Sequence, residues 1–260
     1  MKCISNKDYI DCHFDVIIKY IKSSQSPKID QISELTSHIL ISDIKNACEL
    51  TQVKDYGIET VLYLGMHNKN AQTLKSYAKR KINHIYINVE LDNILPYLEI
   101  TYNTIHKNVI DEKKILVHCD TGLSISVAIL LYYFMRRYYI INYKSSKEKT
   151  KDLIDYRITY LIKIIQFIKE IRPCINPQPI YIHQLLITEN ILKKYFDNIL
   201  SIDIKKNKCI KSSNKITDSE SESNSELDMD DYFAPGTDII VSQVKYDKLE
   251  DLLDIKNNVD

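Results

Sequence analysis

The chain has 260 residues, with 35 Lys and Arg against 35 Asp and Glu and an apolar content of 44%. That length allows one ordinary domain with appendages, or two small ones, and the balanced charge offers no global field to attract nucleic acid or a membrane surface. The longest apolar run, Val127 to Met135, is nine residues, far short of a membrane span.

Six cysteines (Cys3, Cys12, Cys48, Cys119, Cys174, Cys209) are scattered without paired spacing. No zinc pattern appears and no disulfide framework is expected. The N-terminus is polar and lacks a signal-peptide core. These features point to a reducing compartment, cytosol or nucleus, and no metal or cofactor is expected.

Residues 8–22 put Ile10, Phe14, Ile17, Ile18 and Ile21 on one helical face. Ser23 to Pro27 ends that helix, which is expected to pack on the domain that follows. From Ile29 to Ile44 the pattern is β-like, with short apolar runs around Ile32–Leu35 and Ile39–Ile41. Asp43 to Asp55 reads as one helix closed by Gly57, Ile58–Leu64 as a strand, and Ala71 to Arg80 as a short helix. Ile82–Val89 is a further strand and Tyr97 to Val109 a further helix. Strands alternating with helices predict an α/β fold with a mostly parallel sheet covered on both faces.

The stretch Ile115 to Arg137, ILVHCDTGLSISVAILLYYFMRR, organises the chain. It reads as a buried strand, a polar loop opened by His118 and Cys119, and a long apolar helix. Gly122 is one of only four glycines, so its place between strand and helix suggests a turn that needs it. Such a loop gathers N–H groups into an anion nest and favours a thiolate at its centre. Two readings stay open on these residues alone: a reactive thiolate under an anion site, or a buried cysteine at a strand end.

HCDTGLSIS resembles the signature loop of the cysteine-dependent protein phosphatases, and most nearly the dual-specificity branch, which commonly reads HC-x-x-G-[IL]-S-R-S. His118, Cys119, Gly122, Leu123, Ser124 and Ser126 fall in place. Ile125 stands where that pattern has arginine. A second stretch, IRPCINPQPIYIHQLL, is similar to the family's RP-x-I-x-PN-x-G-F-x-x-QL. Arg172, Pro173, Ile175, Pro177, Gln184 and Leu185 match, with Tyr181 for Phe, Gln178 for Asn and Ile180 for Gly. Gly57 to Leu62 is similar to an early strand of the family. The resemblance covers roughly Ile29 to Phe196.

It implies a protein-tyrosine-phosphatase-like fold, with a central sheet of four or five mostly parallel strands flanked by helices. It implies Cys119 as the nucleophile that would form a cysteinyl-phosphate. His118, Asp120, Thr121, Gly122, Leu123, Ser124 and Ile125 would form the phosphate-binding loop, and Ser126 would ease departure of the thiolate. The general acid would be Asp92 in the INVELDN turn, with Glu90 behind it. Ile125 removes the cation that grips the phosphoryl group. Arg136 and Arg137 lie eleven and twelve residues further on, roughly 16 Å up a helix, and cannot substitute locally.

The expected organisation is an N-terminal helix and linker over 1–28, a phosphatase-like domain over 29–199, and a tail over 200–260. The signature helix is expected to end near Arg136, with an insertion at about 138–157, then a helix from Ile158 to Ile171. In the tail, a lysine-rich stretch precedes Thr217 to Asp231, which holds seven acids, five Ser or Thr and no base. Residues from about 203 to 237 should lack fixed structure, and Val244 to Ile255 could form a short amphipathic helix. Three functions compete. The first is an impaired phosphatase that binds phosphoprotein or protein partners, the second an active dual-specificity phosphatase, and the third a scaffold working through its acidic tail. The active form would hydrolyse phosphotyrosine, phosphoserine or phosphothreonine.

Overall fold

The structure, a computed structural model, describes residues 6–23, 26–65, 71–148 and 159–213. One compact unit spans Met1–Lys208 and holds the whole sheet, and a second begins at Cys209. The strands are β1 (Ser33–Glu34), β2 (Ile39–Ser42), β3 (Thr60–Gly65), β4 (Asn83–Asn88) and β5 (Ile115–His118). They lie in the order β1-β2-β5-β3-β4. Only β1 runs antiparallel to its neighbour, and β2, β5, β3 and β4 are parallel. Every residue of β2, β3 and β5 is buried, which is why these strands read as unbroken apolar runs rather than as alternation.

The helices are α1 (Asn6–Ser23), α2 (Ile44–Cys48), α3 (Leu50–Asp55), α4 (Ala71–Lys79), α5 (Leu98–Ile110), α6 (Ile125–Glu148), α7 (Leu161–Ile171) and α8 (Pro179–Ser213). Ala47 and Val53 from α2 and α3 and Tyr77 from α4 pack with Leu40, Val61 and Leu116 on one face of the sheet. Thr60, pointing the other way from Val61, donates to Asn108 of α5 at 2.6 Å, so α5 covers the opposite face.

Three elements differ from the sequence expectation. The helix expected over 43–55 breaks in two at Glu49, whose backbone is extended. Asp43 caps α2 by accepting from the Asn46 N–H at 2.9 Å, and the break lets both Ala47 and Val53 reach the core. The signature helix does not stop near Arg136 but runs on to Glu148, through the first part of the expected insertion. Tyr139 and Ile140 are buried, and Tyr139 stacks on Phe196 with ring centroids 6.1 Å apart, so the added turn has a core to fill. The stretch 203–237, expected to lack fixed structure, is helical as far as Ser213. The acidic run 217–231 and the expected helix 244–255 lie outside the described residues, as does 149–157 of the insertion.

Helix α1 packs on the domain, as its apolar face required. Ile17 and Ile21 are buried. Tyr9 donates to the buried Glu189 at 2.7 Å, and the same carboxylate accepts from Tyr139 at 3.1 Å, Thr159 at 2.6 Å and the Tyr160 N–H at 2.7 Å. Lys193 stands 3.0 Å from the Tyr9 hydroxyl. A carboxylate fully removed from water persists only when its lone pairs are filled in this way. The network ties α1, α6 and the start of α7 to α8.

Candidate active site

The loop 119–124 leaves the C-terminal end of β5 and enters the N-terminus of α6. Cys119 sits within it, 5% exposed. Its Sγ accepts the Gly122 N–H at 3.2 Å and lies 3.2 Å from the Ser126 Oγ and 3.9 Å from the Thr121 Oγ1. Ser126 is in the first turn of α6 and wholly buried, so its hydroxyl is fixed on the sulfur. Gly122 has φ +67°, and a Cβ there would lie 2.7 Å from the Asp43 nitrogen and closer still to the Ser42 carbonyl oxygen. Backbone sign and backbone contact both demand glycine.

The loop is shaped from outside. The Asp120 carbonyl accepts the Ile44 N–H at 3.3 Å, and the Leu123 carbonyl accepts the Asn176 N–H at 2.9 Å. The Gly122 carbonyl accepts the Arg172 Nε–H at 3.2 Å. In a trans peptide the N–H points opposite to the carbonyl before it. Three carbonyls held outward therefore turn the N–H groups of Thr121, Leu123 and Ser124 to the other side of the loop chain, as in an anion nest, and the Leu123 N–H there already donates to the Thr121 Oγ1 at 3.3 Å. Gln178 adds a fourth tie by donating its N–H to the Ser124 Oγ at 3.1 Å.

Asp92 lies in the exposed turn between β4 and a 3-10 turn at Leu95–Tyr97. Two side chains of α8 hold that turn. Gln184 donates to the Asp92 carbonyl at 2.8 Å and accepts the Ile94 N–H at 3.0 Å. The Tyr181 hydroxyl donates to the Leu91 carbonyl. Tyr181 is fully buried, and its pKa is pushed up to about 12 by burial first, then by Asp92 and by Cys119.

His118 ends β5 and is buried. Its ring stacks on Tyr63, its register partner on β3, at 4.9 Å. Tyr63 also donates to the Asp120 carboxylate at 2.7 Å. Burial lowers the His118 pKa to about 4, with the neighbouring Cys119 backbone pulling the other way. The unfolded chain takes up this proton near the ordinary histidine value of about 6.5. Stability therefore falls as pH drops from about 6.5 toward about 4, by about 3 kcal/mol in total from this group. Urea denaturation across that range checks the slope. In NMR the His118 ring should remain neutral at pH 5, and a titration near 6.5 would contradict its burial.

Ile125 is the first residue of α6 and 8% exposed. Arg136 is paired with Glu99 and lies over the Tyr102 ring at 3.9 Å. Arg137 lies 3.4 Å from His106. Among the described residues, the arginine that does reach the signature loop is Arg172, which the sequence matched to the second motif without giving it a role. It is fully buried, and besides the Gly122 carbonyl it binds the Gln31 carbonyl and the Ser33 Oγ, each at 3.0 Å. Burial pulls its pKa below the ordinary arginine value, while Cys174, Asp43 and Cys119 act against that shift. Tyr63, Tyr181, Gln184 and the Asn176 backbone were likewise not foreseen as parts of the site. Among the described residues no group of three or more His, Cys, Asp or Glu could hold a metal ion, and no helix is long and apolar enough to cross a membrane.

A cysteine whose sulfur takes the Gly122 N–H, set between a parallel strand and a helix, is the arrangement that the sequence resemblance implied. Residues 39–191 match the dual specificity phosphatase catalytic domain, and the chain belongs to that family. It is 30% identical over 111 residues to the tyrosine-protein phosphatase yvh1 of Schizosaccharomyces pombe, covering 42% of this chain and 32% of that protein. It is 36% identical over 75 residues to R622 of Acanthamoeba polyphaga mimivirus, whose name assigns it provisionally to the tyrosine-protein phosphatases. That match covers 28% of this chain and 35% of that one. The chain thus spans about a third of the length of these curated relatives. Among solved structures, OH1 of the Orf virus superposes with a TM-score of 0.50 at 15% identity, covering 67% of this chain and 96% of that one. That protein is described as a tyrosine phosphatase with triple substrate specificity, and the likeness extends to the fold.

Proposed function

We propose that this protein is a phosphatase-family binding protein whose nest receives phosphorylated side chains of protein partners and whose turnover is impaired. The observation that carries the reading is Ile125 at the first position of α6, where the family pattern resembled here has arginine. A transition-state arginine in phosphoryl transfer is worth on the order of 10³–10⁵ in rate, and an isoleucine offers neither donor nor charge. The N–H groups of the loop remain to bind an anion weakly.

One observation favours an active enzyme as the second reading. Arg172 places a guanidinium against the loop backbone, within electrostatic reach of Cys119. In that case the Cys119 sulfur would attack phosphorus and the P–O bond to the leaving group would break. Asp92 in its acid form would give its proton to the leaving oxygen. Water would then attack the cysteinyl-phosphate, Asp92 would take a proton from it, and the thiolate would leave toward the Ser126 hydroxyl. Turnover of a small aryl phosphate by the wild-type chain, beside Cys119→Ser, separates the readings. A rate indistinguishable from the serine variant supports impairment, and a family-typical rate lost on Cys119→Ser supports the enzyme.

A further inference from the structure

The first two turns of α8 and the segment before them touch both halves of the site. On one side, the Asn176 N–H binds the Leu123 carbonyl at 2.9 Å and the Gln178 N–H binds the Ser124 hydroxyl at 3.1 Å. On the other, Tyr181 and Gln184, three apart and so on one helical face, hold the turn that carries Asp92. Gln184 spans that turn from the Asp92 carbonyl to the Ile94 N–H. Tyr181 fixes the carbonyl one residue earlier. The second motif of the family pattern has Phe at this position, and a phenylalanine could not make that bond.

We infer that Tyr181 is a positioning residue, whose hydroxyl latches the Asp92 turn so that α8 sets one fixed spacing between the Asp92 carboxylate and the Cys119 sulfur. The inference rests on the second, active-enzyme reading of the site, since that is the one that takes Asp92 as the proton donor. Tyr181 is fully buried with its hydroxyl on the Leu91 carbonyl, so it acts through the turn and not on a ligand. A carboxylate on an exposed turn between a strand and a 3-10 turn would otherwise sample many positions, and small misplacements of a catalytic group are costly. Fastening two successive carbonyls and one N–H removes most of that freedom before any ligand arrives.

The test is Tyr181→Phe in the full chain, a change that keeps the ring and its packing and deletes the one hydroxyl. Hydrogen exchange is read in the otherwise wild-type protein. Amides 91–95 should exchange roughly tenfold faster, with β4 and α5 unchanged. The second arm adds Tyr181→Phe to Ile125→Arg. Turnover of phenyl phosphate, whose leaving oxygen needs a proton, should fall roughly tenfold, while turnover of dinitrophenyl phosphate, which leaves without one, should hold. Unchanged exchange in the turn overturns the latch, and so do equal losses on both substrates, which would mean a general packing defect. If Ile125→Arg shows no turnover, the impaired-by-isoleucine reading fails, and the exchange arm still decides the latch.

Discussion

Ile125→Arg should raise turnover of a small aryl phosphate by about three to five powers of ten, the worth of a transition-state arginine in phosphoryl transfer. Cys119, Ser126 and the nest stand ready around it: the sulfur is fixed between the Gly122 N–H and the Ser126 hydroxyl. The substituted position is the first residue of α6. A cation there opposes the positive end of the helix dipole and should cost on the order of 0.5 kcal/mol in the unliganded protein. An oxyanion bound in the nest reverses that sign. Vanadate should therefore raise the melting temperature of Ile125→Arg more than that of wild type, because a ligand stabilises in proportion to its affinity for the folded state. If wild type already turns over at a family-typical rate, the arginine is not what the site lacks. If the variant is folded, binds vanadate and stays inert, the defect lies elsewhere. Gln178 would then be a poor suspect, since it meets the loop through its backbone N–H, and Ile180 would come next.

Much of the site was legible because its constraints are local. A strand of Ile, Leu and Val, then His-Cys, then a glycine three residues on, is a contiguous stretch, and the positive φ of Gly122 is the reason the glycine is there. The parallel sheet was legible because burial on both faces removes alternation and leaves apolar runs. What stayed hidden is contact across long separations. Tyr63 reads as one more apolar residue of a strand until its register partner proves to be His118 and its hydroxyl meets Asp120. Arg172 is fifty residues from the Gly122 carbonyl that it binds and farther still from the Gln31 carbonyl. The end of α6 was placed too early because Tyr138 to Tyr143 looks like any aromatic-rich stretch. Its helical continuation depends on Glu189 and Phe196, far along the chain, meeting Tyr139. The break at Glu49 was hidden for a similar reason, since no glycine or proline marks it.

Arg172→Met should destabilise the domain by on the order of 3 kcal/mol and weaken oxyanion binding beyond what that loss explains. Methionine matches the reach of the arginine stem but donates nothing. The Gly122 and Gln31 carbonyls and the Ser33 hydroxyl would each lose a charged donor. Hydrogen bonds to charged groups are worth about 1.5–3 kcal/mol apiece, and a buried acceptor left empty costs about 1–3 kcal/mol. Relief from burying the guanidinium works in the other direction and is what keeps the net near 3 kcal/mol rather than the full sum. The functional effect follows from peptide geometry. Once the Gly122 carbonyl is released, the peptide that carries it can rotate, and the Leu123 N–H turns away from the nest as the carbonyl turns in. A carbonyl facing an anion repels it, so affinity should fall even in molecules that remain folded. Urea denaturation measures the first effect, and vanadate titration of Ile125→Arg with and without Arg172→Met measures the second. Arg172→Lys separates geometry from charge, since lysine keeps the cation but not the planar fork. Lysine should recover little anion affinity if the fork holds the loop, and most of it if the charge alone acts. A folded Arg172→Met protein that binds vanadate as tightly as its parent would show that the loop holds its shape without this arginine.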